Sequence, residues 1–299
     1  MWRFGVEQKI FEIGGVRVGG IPGERPTVLV GSIFYHGHKV VKDDRRGEFD
    51  RVLAEELVNR QEEFSDKTGN PCMLDVVGST SEALNKFLDF TASITDIPLL
   101  MDGISSAVRV KSLEYVEECG LQDRIIYNSL TPEFREEELV KIKEVGVESA
   151  VLLAYTTKDF TSKGRVEAVK SLLPIAEKAG VRKPLIDTCV LDIPTLGIGC
   201  RVIQDLKMDL GLPVGCGAHN AIGTWKGLKT KMGVQAEKPS MAAANVLAVA
   251  AGADFLLYGP IESAEYIFPT IAMVDAAYGQ LALEGGKMPK PSHPLFRIA

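Results

Sequence analysis

The sequence predicts an α/β protein, a (β/α)₈ barrel of the TIM type, from three observations. Eight short segments are almost continuously apolar, as parallel strands buried on both faces are. Amphipathic segments lie between them, and several end at a glycine. A doubly wound open sheet is the alternative, but it usually has fewer parallel strands and no G-x-G-x-x-G opens the first helix here.

Each predicted strand is an apolar run that stops at polar residues or glycine. The runs are Thr27–Phe34, Cys72–Gly78, Pro98–Gly103, Arg124–Leu130, Ser149–Tyr155, Lys183–Cys189, Leu212–Asn220 and Asp254–Glu262.

Helical periodicity is clearest in five of the segments between the strands. They are Phe49–Phe64, Ala107–Glu118, Phe134–Val145, Val166–Ala179 and Ala242–Ala251. In the first, Val52, Leu53, Leu57 and Phe64 lie on one apolar stripe. A glycine just past a helix end favours the left-handed cap conformation, as at Gly146 and Gly180. The glycine-rich stretch Thr195–Gly199 predicts a turn.

We predict a single domain over residues 1–299, with a cap at 1–26, the barrel at 27–283 and a tail at 284–299. In the cap, Phe11–Ile13 and Val16–Val18 flank two glycines and predict a hairpin at the closed end of the barrel. The segment Lys287–Ala299 holds three prolines and is expected to be extended.

Composition excludes several classes of protein. A net charge of −6 argues against a nucleic-acid partner. No apolar run approaches the ~18 residues of a membrane-spanning helix, and the charged N-terminal segment predicts no secretory signal. Five scattered cysteines predict reduced thiols in a cytoplasmic protein.

Polar residues stand where five of the predicted strands stop. They are Asp75, Asp102, Asn128 with Ser129, Asp187, and His219 with Asn220. The carboxyl ends of barrel strands meet at one mouth, where active sites lie. The alternative is that these residues only hydrogen-bond loop amides. Three carboxylates and two amides without a basic cluster suit a neutral heterocycle rich in N–H donors, such as a pterin, because a carboxylate accepts two parallel N–H bonds.

The same residues carry a resemblance to known pterin-binding barrels. Asp102, Asn128, Asp187 and Asn220 stand as in dihydropteroate synthases and methyltetrahydrofolate–corrinoid methyltransferases. Long stretches, among them GGVRVGGIPGERPTVLVGSIFYHGHKVV, NPCMLDVVG, IYNSL, AEKAGVRKPLIDT and LPVGCGAHNA, resemble the H-type subunit of tetrahydromethanopterin S-methyltransferase and its bacterial relatives that methylate tetrahydrofolate. The first strand departs from the folate–corrinoid enzymes, because it ends in Ser-Ile-Phe-Tyr-His instead of glutamate and asparagine.

The resemblance implies methyl transfer from methylcob(III)alamin, carried by a partner corrinoid protein, to N5 of tetrahydrofolate or tetrahydromethanopterin, without a metal ion. We expect tetrahydrofolate, because the chain looks like a free-standing enzyme. The resemblance also implies that Asp187 and Asn128 hold the pyrimidine edge, that Asp102 holds another side of the ring and that Asn220 contacts N5. Asp102 and Asn220 are thus the expected catalytic residues. Asp75, Ser129, Gly215 and Gly217 complete the expected substrate-binding set.

Two other readings of these residues stay open. His36 and His38 form an H-x-H pair of the kind found in metal-dependent amidohydrolases. Cys189, Cys200 and Cys216 could form a zinc site with His219, although buried thiols are the simpler interpretation. A pterin-binding component of a larger methyltransferase complex is the third functional alternative.

The segment Pro239–Gly252 predicts self-association, because it has no charged residue although outer barrel helices normally show a polar face to water. We expect both of its faces to be covered, partly by Tyr266–Leu283 and partly by a second copy in a homodimer. Burial beneath the C-terminal tail is the alternative.

Overall fold

The computed structural model describes residues 4–299 and confirms the barrel. Strands β3 and β6–β12 are parallel and close into a barrel in chain order, so that the last pairs with the first. The strands in chain order are β1 (Ile10–Ile13), β2 (Val16–Gly19), β3 (Val28–Ile33), β4 (Val41–Asp43), β5 (Glu48–Phe49), β6 (Cys72–Gly78), β7 (Leu99–Gly103), β8 (Ile125–Leu130), β9 (Ser149–Leu153), β10 (Lys183–Asp187), β11 (Val214–Cys216) and β12 (Phe255–Pro260).

Each barrel strand is followed by at least one helix, which covers its outer face. The helices are α1 (Arg51–Thr68), α2 (Ser81–Ile94), α3 (Ser106–Glu118), α4 (Glu136–Val145), α5 (Ser162–Lys178), α6 (Ile193–Asp209), α7 (His219–Gly223), α8 (Glu237–Ala250), α9 (Ala264–Glu284) and α10 (Pro294–Arg297). The predicted glycine stops of α4 and α5 are confirmed, with φ of 80° at Gly146 and 92° at Gly180.

The apolar stripe predicted for the first helix is only partly the face that packs on the barrel, because Leu57 and Phe64 contact the core but the first two residues of the stripe do not. Val52 and Leu53 are exposed, whereas Ala54, Val58 and Gln61 are buried. A glutamine is tolerated there because its amide donates to the Met73 carbonyl at 3.2 Å and its oxygen accepts from the Tyr258 hydroxyl at 2.5 Å.

Two further segments differ from expectation. Thr195–Gly199 is not a turn but the start of α6, because Asp192 and Thr195 cap that helix reciprocally. Gly199 is required by space, since a Cβ there would come 2.9 Å from Val190. The C-terminal segment is not extended throughout, because it includes α10, which His293 caps.

The antiparallel hairpin of β1 and β2 closes the amino-terminal end of the barrel. Ile13 and Val18 are buried against the side chains that fill the barrel interior, including Val28, Leu100 and Ile126. Residues 1–3 of the predicted cap lie outside the described residues.

A buried ion pair fixes the chain just after this hairpin. The Lys207 ammonium on α6 donates to both Asp254 oxygens, at 2.6 and 2.8 Å, and to the Gly20 carbonyl at 2.9 Å. All of its donors therefore have acceptors, as a buried charge requires. Over residues 4–299, the structure contains no helix long and apolar enough to cross a membrane.

Candidate active site

A cavity of about 490 Å³ opens at the carboxyl ends of the barrel strands. It is lined by Ser32, Tyr35, Asp75, Val77, Asp102, Asn128, Ser129, Asp187, Gly217, His219, Asn220, Leu257, Gly259 and Pro260. The structure thus brings together the polar strand-end residues singled out in the sequence. The size is that of a small-molecule site.

Asp75 lies at the buried side of the cavity and positions Asn128. One carboxylate oxygen accepts from the Ser32 hydroxyl at 2.7 Å, and the other accepts from the Asn128 side-chain nitrogen at 3.1 Å. This bond fixes the orientation of the Asn128 amide, so that Oδ1 remains available as an acceptor. Burial raises the pKa of Asp75 to about 6, and the two hydrogen bonds oppose the rise.

Asp102 is the next-to-last residue of β7 and has no hydrogen-bond donor among residues 4–299. Burial, together with the nearby charge of Asp75, raises its pKa well above the usual range. The nearest compensating charge is Arg109 on α3, whose guanidinium donates to the Gly103 carbonyl at 2.8 Å and to Glu138 at 2.9 Å. The arginine holds the end of the strand but leaves the Asp102 carboxyl free for a ligand.

Asp187 ends β10 and is held by the turn that follows. Its Oδ1 accepts from the Cys189 backbone N–H at 2.7 Å, for which Cys189 adopts a left-handed conformation with φ of 59°. Arg165 on α5 is buried and donates to the Thr188 and Cys189 carbonyls at 2.5 and 2.6 Å. Burial raises the pKa of Asp187 to about 6, against the Cys189 hydrogen bond and the charge of Arg165.

His219 and Asn220 begin α7, just past β11, and each is oriented by a carbonyl. The imidazole Nδ1 lies 2.8 Å from the Leu257 carbonyl, and the Asn220 side-chain nitrogen donates to the Val190 carbonyl at 3.1 Å. Because a carbonyl only accepts, these partners assign the histidine tautomer and the amide orientation. Asn220 therefore keeps Oδ1 as a free acceptor.

The two histidines after β3 do not form the paired metal site of the hydrolase alternative. The His38 imidazole is buried, and it accepts from the Phe34 N–H at 3.0 Å and pairs with Glu262 at 3.0 Å, so both nitrogens are occupied. His36 is 93% exposed and pairs with Asp44. The His38 ring instead stacks at 4.5 Å on Tyr35, which lines the cavity.

The cysteines near the mouth do not make a ligand set either. No group of three or more His, Cys, Asp or Glu side chains within the part of the chain that the structure describes has the arrangement of a metal site. Cys216 is fully buried, and burial raises the pKa of its thiol well above the usual range.

Gly215 differs from the other expected contacts, because it does not line the cavity. A Cβ at this position would come 2.2 Å from the Phe255 carbonyl oxygen of the neighbouring strand, so glycine is required there for strand packing. The lining residues that sequence reasoning did not assign to the cavity are Ser32, Tyr35, Val77, Leu257, Gly259 and Pro260. Arg109 and Arg165, which lie behind it, were also missed.

The polar groups that remain free in the cavity are mainly hydrogen-bond acceptors. Asp102, the second oxygen of Asp187 and the amide oxygens of Asn128 and Asn220 are acceptors, and no lysine or arginine appears among the described lining residues. Such a site suits a compact ligand with several N–H donors and no negative charge of its own.

Solved structures define the class to which this barrel belongs. Dihydropteroate synthase from Xanthomonas albilineans superposes with a TM-score of 0.63 at 18% identity, covering 91% of this chain and 98% of that one. The Yersinia pestis dihydropteroate synthase bound to a sulfonamide drug gives 0.62 at 15% identity, covering 91% and 100%. At these identities the likeness shows the fold alone, a TIM barrel like that of the dihydropteroate synthases.

Sequence comparison defines the family within this class. The family described as tetrahydromethanopterin S-methyltransferase MtrH subunit matches residues 6–288. The tetrahydromethanopterin S-methyltransferase protein of this type from Methanosarcina acetivorans is 39% identical over 315 residues, covering 100% of both chains. Its counterpart from Methanopyrus kandleri is 38% identical over 97% of both. The one from Methanocaldococcus jannaschii is also 38% identical, over 100% of both. The chain belongs to the MtrH family of tetrahydromethanopterin S-methyltransferase, as the resemblance in its motifs indicated.

The unpaired state of Asp102 predicts that this residue costs stability. Because its pKa is raised on folding, wild-type protein loses stability as the pH rises through that pKa, whereas a neutral amide does not. We expect Asp102→Asn to be more stable than wild type by about 1–3 kcal/mol at high pH. The advantage should shrink as the pH falls, and urea unfolding between about pH 5 and pH 9 measures it.

Asp96→Asn is the matched control, because the Asp96 side chain is fully exposed and should change stability by less than about 0.5 kcal/mol. An Asp102→Asn protein that is less stable than wild type at every pH would show that the carboxylate is stabilised and not strained.

Proposed function

We propose that the chain catalyses methyl transfer between a corrinoid-bound methyl group and N5 of a tetrahydropterin. The observation that carries the proposal is the cavity at the barrel mouth, which is lined by hydrogen-bond acceptors. The chain also belongs to a family that is named for a methyltransferase acting on a pterin. The 2-amino group and the ring N–H groups of a reduced pterin are the donors that such a cavity can satisfy.

Three residues have free acceptors for the pterin head. Asp187 and the Asn128 oxygen take the pyrimidine edge, and Asp102 takes a second side of the ring. Both oxygens of Asp75 are already hydrogen-bonded within the protein. Asp75 therefore contributes to substrate binding by orienting the Asn128 amide. Gly217 and Ser129 line the wall beside them.

Asn220 is placed for the reacting end of the ring, because its Oδ1 is free and its nitrogen is fixed on Val190. The cavity has room for the pterin ring, so the corrin must lie across the mouth on a partner protein. The corrinoid supplies the methyl group, and cob(I)alamin is the leaving group. The protein's contribution is to hold N5 in line, to exclude water and to handle the N5 proton.

The comparisons do not support the expected preference for tetrahydrofolate, because the relatives described above are named for tetrahydromethanopterin. The two pterins share the ring edge that Asp187 and Asn128 hold. We therefore propose that the substrate is a tetrahydropterin recognised by its ring system. The test compares tetrahydrofolate and tetrahydromethanopterin directly as methyl acceptors.

The decisive experiment combines activity with binding. Protein mixed with methylcobalamin and either tetrahydropterin should produce cob(I)alamin, followed by its absorbance under anaerobic conditions, with or without a chelator. Asp187→Asn should weaken pterin binding in calorimetry by at least tenfold. The single amide oxygen would stay on the Cys189 N–H, so the side chain would turn a donor toward the pterin in place of the free carboxylate oxygen, and each lost hydrogen bond costs about 1–3 kcal/mol.

Asp205→Asn serves as control, since Asp205 pairs with Arg201 on the outside of α6. Unchanged affinity in Asp187→Asn would rule out the proposed orientation of the pterin. Activity that disappears with the chelator and returns with zinc would favour the metal-dependent alternative.

Exposed apolar side chains surround the cavity on the segments that follow the strands. Ile104 after β7 is 69% exposed, and Phe160 between β9 and α5 is 57% exposed. Leu191 precedes α6, and Met232 and Val234 precede α8, all on the same face of the barrel. We call these five residues the apolar rim. A surface of this kind favours a protein partner over the mouth.

Replacing part of the apolar rim should lower activity with a protein-bound methyl donor but not with free methylcobalamin. In Ile104→Ser/Phe160→Ser protein, we expect kcat/KM to fall at least tenfold with a methylated corrinoid protein that serves the wild type as donor, because buried contact area is lost. Turnover of free methylcobalamin should change less than about twofold. Met288→Ser, exposed at the opposite end of the barrel, is the control. Equal losses with both donors would contradict a docking role for the rim.

The self-association expected for α8 remains a proposal. Its inner face, with Ala244 and Ala248, packs toward the barrel, and α9 packs against it as expected. Among residues 4–299 nothing covers its outer face, where Leu247 is 49% exposed. We propose that a second copy covers this apolar face, which leaves both mouths free.

Light scattering should then give the mass of two chains for wild type and of one chain for Leu247→Glu, because a carboxylate would be buried in the interface. Val140→Glu, on the exposed face of α4, should leave the mass unchanged. A wild-type mass of one chain at micromolar concentration would overturn the dimer.

A further inference from the structure

The His219 imidazole occupies a slot shaped by two glycines. A Cβ at Gly259 would come 2.8 Å from the ring carbons Cγ and Cδ2, and a Cβ at Gly217 would come 3.4 Å from Cε1. Gly259 also has a φ of 91°, which side-chain-bearing residues rarely adopt. The backbone on both sides therefore leaves room for this ring at the cavity wall.

The protonation pattern of the ring is fixed by the Leu257 carbonyl. Since that oxygen can only accept, Nδ1 carries the hydrogen and Nε2 carries the lone pair in the neutral imidazole. Nε2 has no hydrogen-bond partner among residues 4–299, and it is not one of the polar atoms sealed from solvent. The cavity thus holds an oriented, unoccupied nitrogen base.

The proposed reaction has a proton to place. When N5 of the tetrahydropterin forms its bond to the methyl carbon, N5 briefly carries both the methyl group and its original hydrogen. The Asn220 oxygen can accept a hydrogen bond from that group, but a neutral amide does not take the proton at ordinary pH. Asp102 and Asp187 serve the other sides of the ring in the proposed orientation.

We propose that His219 is the catalytic base that takes the N5 proton on Nε2, an inference that rests on the proposed function. The N5 lone pair forms the bond to the methyl carbon, the electron pair of the cobalt–carbon bond remains on cobalt, and the N5–H proton passes to Nε2. Solvent then removes the proton from the imidazolium. In the reverse direction the imidazolium returns a proton to N5, which makes the pterin nitrogen a better leaving group.

The surroundings of the ring agree with this role. The titratable groups that share its cavity are Asp75, Asp102, Asp187 and Tyr35, and none of them hydrogen-bonds to the imidazole in the described part of the chain. Burial lowers the pKa of His219, so the neutral, proton-accepting form predominates near neutral pH. The proton taken up in the reaction is then easily released.

The test compares His219→Gln with His36→Gln, using free methylcobalamin as donor. We expect His219→Gln to lower kcat by about 10²–10⁴-fold, the usual contribution of a positioned base, while the pterin dissociation constant changes less than about threefold. The part of the acidic fall in wild-type kcat that comes from protonation of the imidazole should be absent in the variant, whereas the part that comes from Asp75 and Asp187 is common to both proteins. Added imidazole should restore part of the activity of His219→Gly. His36→Gln, altered at an exposed side chain, should behave as wild type.

A measurement independent of turnover uses ¹⁵N-labelled histidine. In wild type at neutral pH, the Nε2 resonance of His219 should be that of an unprotonated nitrogen, and it should shift when the tetrahydropterin binds. An Nε2 that is protonated in the free protein, or that does not respond to the pterin, would overturn the proposal.

The outcomes also separate this inference from the function on which it rests. If wild type is active and His219→Gln retains both kcat and the acidic limb of the pH profile, the role of His219 is wrong and the methyl transfer stands. If wild type neither binds a tetrahydropterin nor demethylates methylcobalamin, both proposals fail.

Discussion

The buried carboxylates of Asp75, Asp102 and Asp187 are the constraint on which the rest of the site depends. Each ends or interrupts an apolar strand, and burial raises the pKa of all three. Removing a carboxylate from water is costly unless donors replace the lost water. The barrel supplies these donors unevenly: two for Asp75, one for Asp187, and none among residues 4–299 for Asp102. The remaining acceptors face the cavity, where a ligand can satisfy them.

Two arginines behind the strands stabilise the backbone beside these carboxylates. Arg109 and Arg165 lie on the helices that follow β7 and β9, and each donates to main-chain carbonyls next to a site carboxylate instead of to the carboxylate itself. A direct bidentate pair would neutralise the carboxylate and occupy its oxygens. The hydrogen bond to the carbonyl fixes the backbone and takes no carboxylate oxygen, while the charge of the arginine opposes the rise in the pKa of the nearby acid. The unpaired carboxylates thus lower the stability of the folded protein, but their oxygens are already positioned to bind a ligand.

The sequence predicts those features that depend on local pattern and on barrel geometry. Polar residues that end apolar runs must gather at one mouth when the strands are parallel, which is why Asp102, Asn128 and Asp187 could be placed together in advance. What could not be predicted depends on partners distant in the chain. Gln61 is buried because Tyr258 and Met73 satisfy its amide, and His38 is removed from any metal role by Glu262, 224 residues away. The helix at Thr195–Gly199 was missed because glycine is a weak helix former, although the Asp192 cap is visible in the sequence.

Three side chains of the cavity are oriented by the protein in the same way. Asn128, Asn220 and His219 each have one donating nitrogen and one accepting atom, so alone they could face a ligand either way. In each case the donor is bound by the protein: by Asp75, by the Val190 carbonyl and by the Leu257 carbonyl. What remains toward the cavity is an acceptor every time, beside the acceptors of Asp102 and Asp187. A reduced pterin carries hydrogens on N5 and N8, whereas the fully oxidised ring has lone pairs at both positions. Because a lone pair facing an acceptor leaves both groups desolvated and unpaired, this arrangement discriminates against the oxidised ring. Under the proposed function, the bonds that orient the amides and the imidazole therefore also select the oxidation state in which N5 can accept a methyl group.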